Sequence, residues 1–407
     1  MSPVNSDLLK DIKNIHREFT LCGTPRNSLL AVSDDLLTYI LCLLRNEPPS
    51  SIPKASIEQW MSLTDILNHN WIIPFIYYRV GFLPEKLQPP KSITNIMREY
   101  FLLSSAQDIR TVRQLERLLL AFRQEQVRVL VMKGPALAWS VYPDAAMRPY
   151  DDIDLLVPPK QFTKARKIME MLGYECEAKI FEILKDVQFE EHFYYRDQSM
   201  KKLLVEIHWD LHRFYGAKQK ITLDDLYDNA ITVNTSSFYF ETFNPVDSLL
   251  HMVAHTGFSH SKDIRLSWIC DIAQISSRLE APQDWISLQT KSVEWGIRLL
   301  MERFIKMAQA WYAVKVPGIF ADFSKWPRPL QSELAIWPHI TQRNENAISM
   351  LKLRISGNLG FFEKMRLLFR LIFPIPGHIL IDFPCKYKWQ IPRSYIRYWR
   401  KWLAKIF

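Results

Sequence analysis

Three carboxylates carry the most specific chemistry in this 407-residue sequence. Asp152 and Asp154 stand two apart in Arg148-Pro-Tyr-Asp-Asp-Ile-Asp-Leu-Leu-Val157. If that run is a strand, successive side chains alternate between faces, so these two share one face and Asp151 points to the other. Glu206 lies in a later run, Leu203-Leu-Val-Glu-Ile-His-Trp209, with His208 on its face. Neighbouring carboxylates repel one another, and a divalent cation is the usual counter-charge. Three of them on adjacent strands offer hard oxygen ligands for two Mg2+ or Mn2+ ions. Two such ions near one phosphorus stabilise the attacking and leaving oxygens of an in-line displacement.

The elements that must position this set lie just before it. Val129 to Met132 is a short apolar run suited to a buried strand. Lys133-Gly134-Pro135 ends it: Gly134 lets the chain turn tightly, and Pro135 fits the first turn of a helix, where its missing N–H is not needed. The N–H groups of that helix can receive phosphate oxygens, although Pro135 withdraws one donor. Lys133 and Arg148 are cations near the same loop, suited to neutralising a triphosphate or pyrophosphate. Further on, His251 and His255 stand four apart on a predicted helix, a spacing compatible with metal binding. The H-E-x-x-H pattern is absent, because Met252 stands where its glutamate belongs. With His208 they are read as candidates for an acceptor-pocket wall, the bland alternative being helix packing.

Taken in order, residues 1–125 read as an N-terminal helical lobe. Its predicted helices include one through Leu8, Ile12, Ile15 and Phe19, and one starting at Ser33-Asp34-Asp35. A long helix is expected over 92–124, with Ile96, Tyr100, Leu103, Ile109, Val112, Leu115, Leu118, Leu119 and Phe122 on its apolar face. Residues 126–215 read as an α/β (α+β) core with a small mixed sheet. A helix after Pro158-Pro159 is closed by Gly173, and strands are expected over 174–180, 190–196 and 203–209. Residues 216–315 read as a C-terminal helical region, with one helix ended by Gly257 and another, over 262–279, carrying Asp271. Residues 316–407 form a basic, aromatic extension.

Composition bounds the rest. Hydrophobic content is 48% and charged content 23%, which implies a sizeable core. The five cysteines (Cys22, Cys42, Cys176, Cys270 and Cys385) form no C-x-x-C pair, which argues against a disulfide framework or structural zinc and for a reducing, cytoplasmic setting. The N-terminus lacks a signal-peptide core, and no run is apolar enough to span a bilayer. Ten Lys or Arg against two acids in residues 361–407 hold eight of the nine net positive charges. A near-neutral remainder makes a nucleic-acid partner unlike this chain, whereas the tail suits the anionic inner face of a membrane or packing on the protein.

Lys133-Gly134, Arg148, Asp152-Ile-Asp154-Leu-Leu-Val157 and Val205-Glu206-Ile-His-Trp209, in that order, resemble the bacterial nucleotidyltransferase family proteins of the DNA polymerase β-like superfamily. The His251-Met-Val-Ala-His255 and Asp271 segments resemble that group's C-terminal helical region, and the similarity covers about residues 100–280. The resemblance implies Mg2+ (or Mn2+) bound by Asp152 and Asp154, with Glu206 completing the site and assisting deprotonation of an acceptor hydroxyl. It implies an NTP, ATP among the possibilities, held near Lys133, Gly134 and Arg148, and an unidentified sugar, small-molecule or protein acceptor. The superfamily turn usually pairs glycine with a serine whose hydroxyl contacts phosphate. Pro135 supplies none, so either Lys133 takes over that contact or the nucleotide sits differently. The alternative is a non-catalytic accessory protein on the same fold, serving surface-polysaccharide or natural-product synthesis.

Overall fold

The computed structural model describes residues 32–176, 189–196, 202–211, 222–260, 264–341 and 390–403, together with single positions 365, 369, 373, 379 and 383. The helix expected through Leu8 and Phe19, the strand beyond Cys176, Cys22, Cys385 and most of 342–389 lie outside them.

Local sequence signals account for most helix limits. Ser33 caps α1 (Asp34–Leu44), and Ser56 with Gln59 forms a capping box on α2 (Ile57–His69). Helix α3 (Ile73–Val80) carries Pro74 in its first turn, and α4 (Lys91–Gln124) follows Pro89-Pro90. The buried stripe of α4 runs through Ile93, Met97, Ser104, Asp108, Thr111, Leu115, Leu118 and Phe122. Leu103 and Ile109, expected on its apolar face, are exposed. The 3.6-residue repeat places Ser104, Asp108 and Thr111 inward instead, and Asp108 is satisfied there by Tyr150 Oη at 2.5 Å and Trp139 Nε1 at 3.1 Å.

Strand β1 (Leu130–Met132) leads into α5 (Lys133–Ser140), then β2 (Asp152–Leu156) and α6 (Phe162–Met171). Gly173, at φ +84°, closes α6 as expected. Strands β3 (Glu175–Cys176), β4 (Glu190–Arg196) and β5 (Lys202–His208) follow, then α7 (Leu223–Asp228) and the pair β6 (Ile231–Asn234) and β7 (Tyr239–Thr242). These seven strands form one mixed sheet in the order β3-β4-β5-β2-β1-β7-β6. β2 runs antiparallel to β1 and parallel to β5, while β7 joins the far side of β1 in parallel. The last two strands lie in a segment expected to be helical. Their alternation of β-branched and aromatic residues around Thr235-Ser-Ser is a hairpin signal that the neighbouring helices obscured.

Beyond the sheet come α8 (Pro245–Ser259), α9 (Leu266–Ser276), α10 (Pro282–Glu294), α11 (Arg298–Tyr312), α12 (Gly318–Ala321), α13 (Gln331–Thr341) and α14 (Ile391–Leu403). Gly257 does not end α8. It sits within the helix, where an added Cβ would lie 2.7 Å from Leu300 Cδ1, so it serves close packing on α11.

Two apolar clusters organise these layers. One fills the space among α1–α3, α8–α11 and α13, and includes Ile93 and Met97 from the start of α4. The other lies behind the sheet and takes Leu115, Leu118, Leu119 and Phe122 from the end of α4, with Phe162, Ile168 and Met169 of α6. The 34-residue α4 thus joins the helical core to the back of the sheet. Behind the sheet, Arg166 also makes a buried double hydrogen bond to Glu191 (3.0 and 2.6 Å), fixing β4 so that Glu190 and His192 point to the opposite, open face. Among the described residues no helix is long and apolar enough to cross a membrane, and Cys42, Cys176 and Cys270 are free thiols.

Candidate active site

The strand register brings the expected carboxylates together. Asp154 lies directly opposite Glu206 in the parallel β2–β5 pair, and Asp152 is two residues away on the same face. Ile153, Leu155, Val205 and Ile207 alternate into the core behind, each fully buried. The alternation that makes these strands amphipathic therefore also aims the acids.

Lys133 is drawn into this set. It adopts φ +44°, the left-handed region, and so is the residue that reverses the chain between β1 and α5. Gly134 is needed for a different reason. An added Cβ would lie 3.2 Å from the Asp152 carbonyl oxygen and 3.3 Å from the Tyr150 ring, so glycine lets α5 approach β2. Lys133 Nζ then reaches Asp154 Oδ1 at 2.5 Å and Glu206 Oε2 at 4.0 Å. Burial alone would lower the lysine pKa, but Asp154, Glu206 and Asp152 raise it, so the ammonium is charged.

His208 is a second internal cation. Its Nε2 lies 3.0 Å from Asp154 Oδ1 and 3.6 Å from Glu206 Oε2, and its Nδ1 lies 3.1 Å from Glu190 Oε2. Burial opposes protonation, yet the hydrogen bonds to Asp154 and Glu206 push its pKa up to about 9. Burial also opposes charging of Glu206, but the His208 hydrogen bond and the Lys133 charge hold its carboxyl at about 2. A carboxylate that acidic is a weak general base near neutrality and a durable cation ligand. Asp152 differs: burial and the adjacent Asp154 push it up to about 7, more than Lys133 offsets.

Sequence reading missed two members, Glu190 and His192 on β4. His192 pairs in register with Glu206, and Glu190 with His208. His192 Nε2 lies 3.6 Å from both Glu206 Oε1 and Glu190 Oε1. The signal was present, since Glu-x-His occurs on both strands (190–192 and 206–208) and antiparallel pairing superposes the two patterns with opposite polarity.

The remaining expected residues are placed as follows. Arg148 is buried and points to Asp271 of α9, with Nε 2.9 Å from Oδ1 and one terminal nitrogen 2.8 Å from Oδ2. Tyr142 Oη donates to the same Asp271 Oδ1 at 2.7 Å. Asp271 thus pairs with Arg148 and Tyr142. Arg148 still acts electrostatically on Asp152 and opposes its upward shift. His251 and His255 lie away from the strand pairings, in a row of rings that runs from Phe243 through His251 and His255 to His260 and Trp268. Asp151 precedes the first residue of β2 and is exposed, so it does not enter the core face that alternation alone would give it; Arg265 opposes the burial that raises its carboxyl.

This donor set suits a hard divalent cation. Oxygen and nitrogen atoms of Asp154, Glu206 and His208 lie within 4.8 Å of one another, as do those of Glu190, His192 and Glu206. Four carboxylates on the face (Asp152, Asp154, Glu190, Glu206) outnumber the two internal cations, Lys133 and His208, and Asp152 is pushed up first by burial and then by Asp154.

The glycine-containing turn between β1 and a short helix, with a D-x-D strand beside a third acid, is the arrangement that the sequence resemblance implies. The chain belongs to the family described as "uncharacterised nucleotidyltransferase", whose model matches residues 56–313. No curated protein matches its sequence. Among solved structures, the antibiotic-resistance factor ANT(2'')-Ia in solution is similar at 12% identity, with 45% of this chain and 92% of that chain covered and a TM-score of 0.35. The crystal structure of ANT(2'')-Ia with adenylyl-2''-tobramycin gives 12% identity, 49% and 98% coverage and a TM-score of 0.33. An antigenic nucleotidyltransferase-like protein from Paracoccidioides brasiliensis gives 14% identity, 54% and 97% coverage and a TM-score of 0.30.

Proposed function

We propose that this protein is a Mg2+-dependent nucleotidyltransferase that moves a nucleoside monophosphate from a nucleoside triphosphate to an acceptor hydroxyl, releasing pyrophosphate. The observation that carries this reading is the register that sets Asp154 against Glu206 with Asp152 on the same face. Asp152, Asp154 and Glu206 would hold the divalent ions. Bound there, such ions stabilise charge on the attacking and leaving oxygens at phosphorus. His208 orients Asp154 by a hydrogen bond and draws Glu206 by charge at 3.6 Å. Lys133 is held at the turn with its ammonium among these acids, and can exchange a carboxylate partner for phosphate oxygens when a polyphosphate enters. Arg148, locked by Asp271, sets the loop that leads into β2.

The test is release of labelled pyrophosphate from each NTP with Mg2+, using sugar, small-molecule and protein hydroxyl acceptors. Turnover should vanish in D152A/D154A, and intact turnover in that double variant would sink the assignment. One observation favours a second reading. Lys133 and His208 already neutralise Asp154 from within, as a non-catalytic member of the fold would require. Saturable Mg2+–NTP binding without turnover across the acceptor panel would select that alternative.

A cytoplasmic protein held at an anionic membrane surface fits the tail. In α14, Arg393, Arg397, Arg400 and Lys401 are exposed, whereas Trp399 is half-buried against Tyr395 and Phe373 (both 5.7 Å). Phe369, Phe373 and Ile396 of the same tail are exposed beside these cations, so attachment would combine salt-sensitive attraction with contact by apolar side chains.

A further inference from the structure

The corner between α2 and α3 and the start of α9 form a built arrangement that the roles above leave unused. Asn70 fastens the two. Its side-chain carbonyl accepts from Leu266 N at 3.1 Å, its backbone carbonyl accepts from Ser267 N at 3.3 Å, and its side-chain amide donates to Ile66 O at 2.9 Å. Trp71 follows at φ +54°, the left-handed position just past a helix end that glycine normally fills. A bulky aromatic there is held against its backbone preference.

The indole so placed covers Arg265. The guanidinium carbon lies 4.4 Å from the Trp71 ring centroid and 5.0 Å from that of Trp268. Trp268 stacks in turn on His260, with centroids 4.3 Å apart. Two indoles within cation–π distance hold the guanidinium in place without using its N–H donors, which are left for recognition. Among the described residues no carboxylate lies within ion-pair distance of Arg265 and no acceptor takes its N–H groups. The side chain is half-buried, and it lies near enough to act on Asp151, the residue before Asp152. Through the Asp271–Arg148 pair, α9 is also tied to the loop that delivers Asp152.

We infer that Arg265, held against Trp71 and Trp268, binds a phosphate or carboxylate group of a ligand engaged at the Asp152/Asp154 site. A planar fork with its donors unspent pairs with two oxygens of one anionic group, and ring walls reduce competition from water. Phosphate of the nucleotide and an acid group on the acceptor present the same chemistry. The ligand's identity as nucleotide or acceptor rests on the nucleotidyltransferase reading, whereas anion binding at Arg265 does not.

Isothermal titration of the full chain tests this, comparing wild type with R265Q and R265K. The probes are Mg2+–ATP, sodium pyrophosphate, glucose 1-phosphate and glucuronate, with glucose as the neutral control. R265Q should lose about tenfold or more in affinity for at least one anionic probe, and R265K much of that, because it keeps the charge and loses the fork. Glucose should be indifferent to either change. A loss confined to ATP and pyrophosphate assigns the group to the nucleotide, and a loss confined to the two sugar acids assigns it to the acceptor. Unchanged affinity of R265Q for every anionic probe overturns the inference, as does a wild type that binds none of them. Failure of the nucleotidyltransferase reading looks different: no turnover of NTP, with Arg265-dependent anion binding retained. Equal melting temperatures of the three proteins guard against a folding effect.

Discussion

Lys133 Nζ lies 2.5 Å from Asp154 Oδ1, so the turn that joins β1 to α5 delivers a cation to the carboxylate that a divalent ion would share. The two charges compete for one oxygen. Replacing Lys133 with Met should therefore strengthen Mn2+ binding in the absence of nucleotide, because Asp152, Asp154 and Glu206 are then left less neutralised. The same variant should turn over more slowly, by about a hundredfold, since a positioned cation at the phosphates is lost. Manganese titration followed by electron paramagnetic resonance, set beside pyrophosphate release, reads both. Weaker manganese binding in K133M would show that the lysine organises the acids and does not compete for them.

Titration of His208 gives the metal-free protein a predictable pH profile. Its folded-state pKa of about 9 is above the ordinary 6.5, so the stability it contributes is fully present below about 6.5 and is lost as pH rises through about 9. Asp152 is raised from 3.8 to about 7, so its charging withdraws stability across that lower window as pH rises. In chelator, the melting temperature should fall between pH 6 and 9, and H208Q should flatten the fall above pH 6.5. Parallel slopes for wild type and H208Q would refute this assignment. Mg2+ should stabilise the protein more at pH 8 than at pH 5, where Asp152 holds its proton.

Much of this site can be read from alternation alone. A period of two aims Asp152, Asp154, Glu206 and His208 to one face, and the structure keeps them there. What alternation cannot supply is strand order, and Glu190 and His192 join the site only because β4 pairs antiparallel with β5. Long-range partners are equally silent in sequence. Arg148 is 123 positions from the aspartate that fixes it, and β7 reaches β1 across 111 positions through the Thr242 hydroxyl, 2.7 Å from the Val131 carbonyl oxygen. In sequence Gly134 and Gly257 look like backbone punctuation, whereas both answer to the space left by a neighbour.

The Arg148–Asp271 pair is buried on both sides, with Tyr142 on the same carboxylate. D271N leaves a buried guanidinium without a counter-charge and should cost about 3–5 kcal/mol, measurable by urea unfolding. R148M/D271L removes both charges and should recover most of that stability. If the pair positions the loop before β2, the double variant stays slow in turnover with KM for the nucleotide raised. Full recovery of both stability and rate would reduce the pair to a core contact.

Gly134 offers a separation of geometry from stability. An added Cβ would sit 3.2 Å from the carbonyl oxygen of Asp152, tighter than ordinary packing, and 3.3 Å from the ring of Tyr150. Tyr150 is itself tethered to Asp108, so the ring has little room to withdraw. Relief has to come from a shift of a few tenths of an ångström between the start of α5 and β2. Core strain of that size costs about 1–3 kcal/mol, which a chain of this size tolerates. The shift falls on Asp152 and Lys133 together, however, and displacements well under 1 Å at reacting groups cost rate steeply, with about a hundredfold loss per ångström of misplacement. G134A should therefore fold, bind Mn2+ at lower affinity, and lose turnover by about four- to tenfold, whereas G257A, relieved by rotation of Leu300, should keep its rate. Circular dichroism melts and pyrophosphate release on the two variants distinguish the outcomes, and a G134A protein with wild-type rate would show that the site does not depend on this contact.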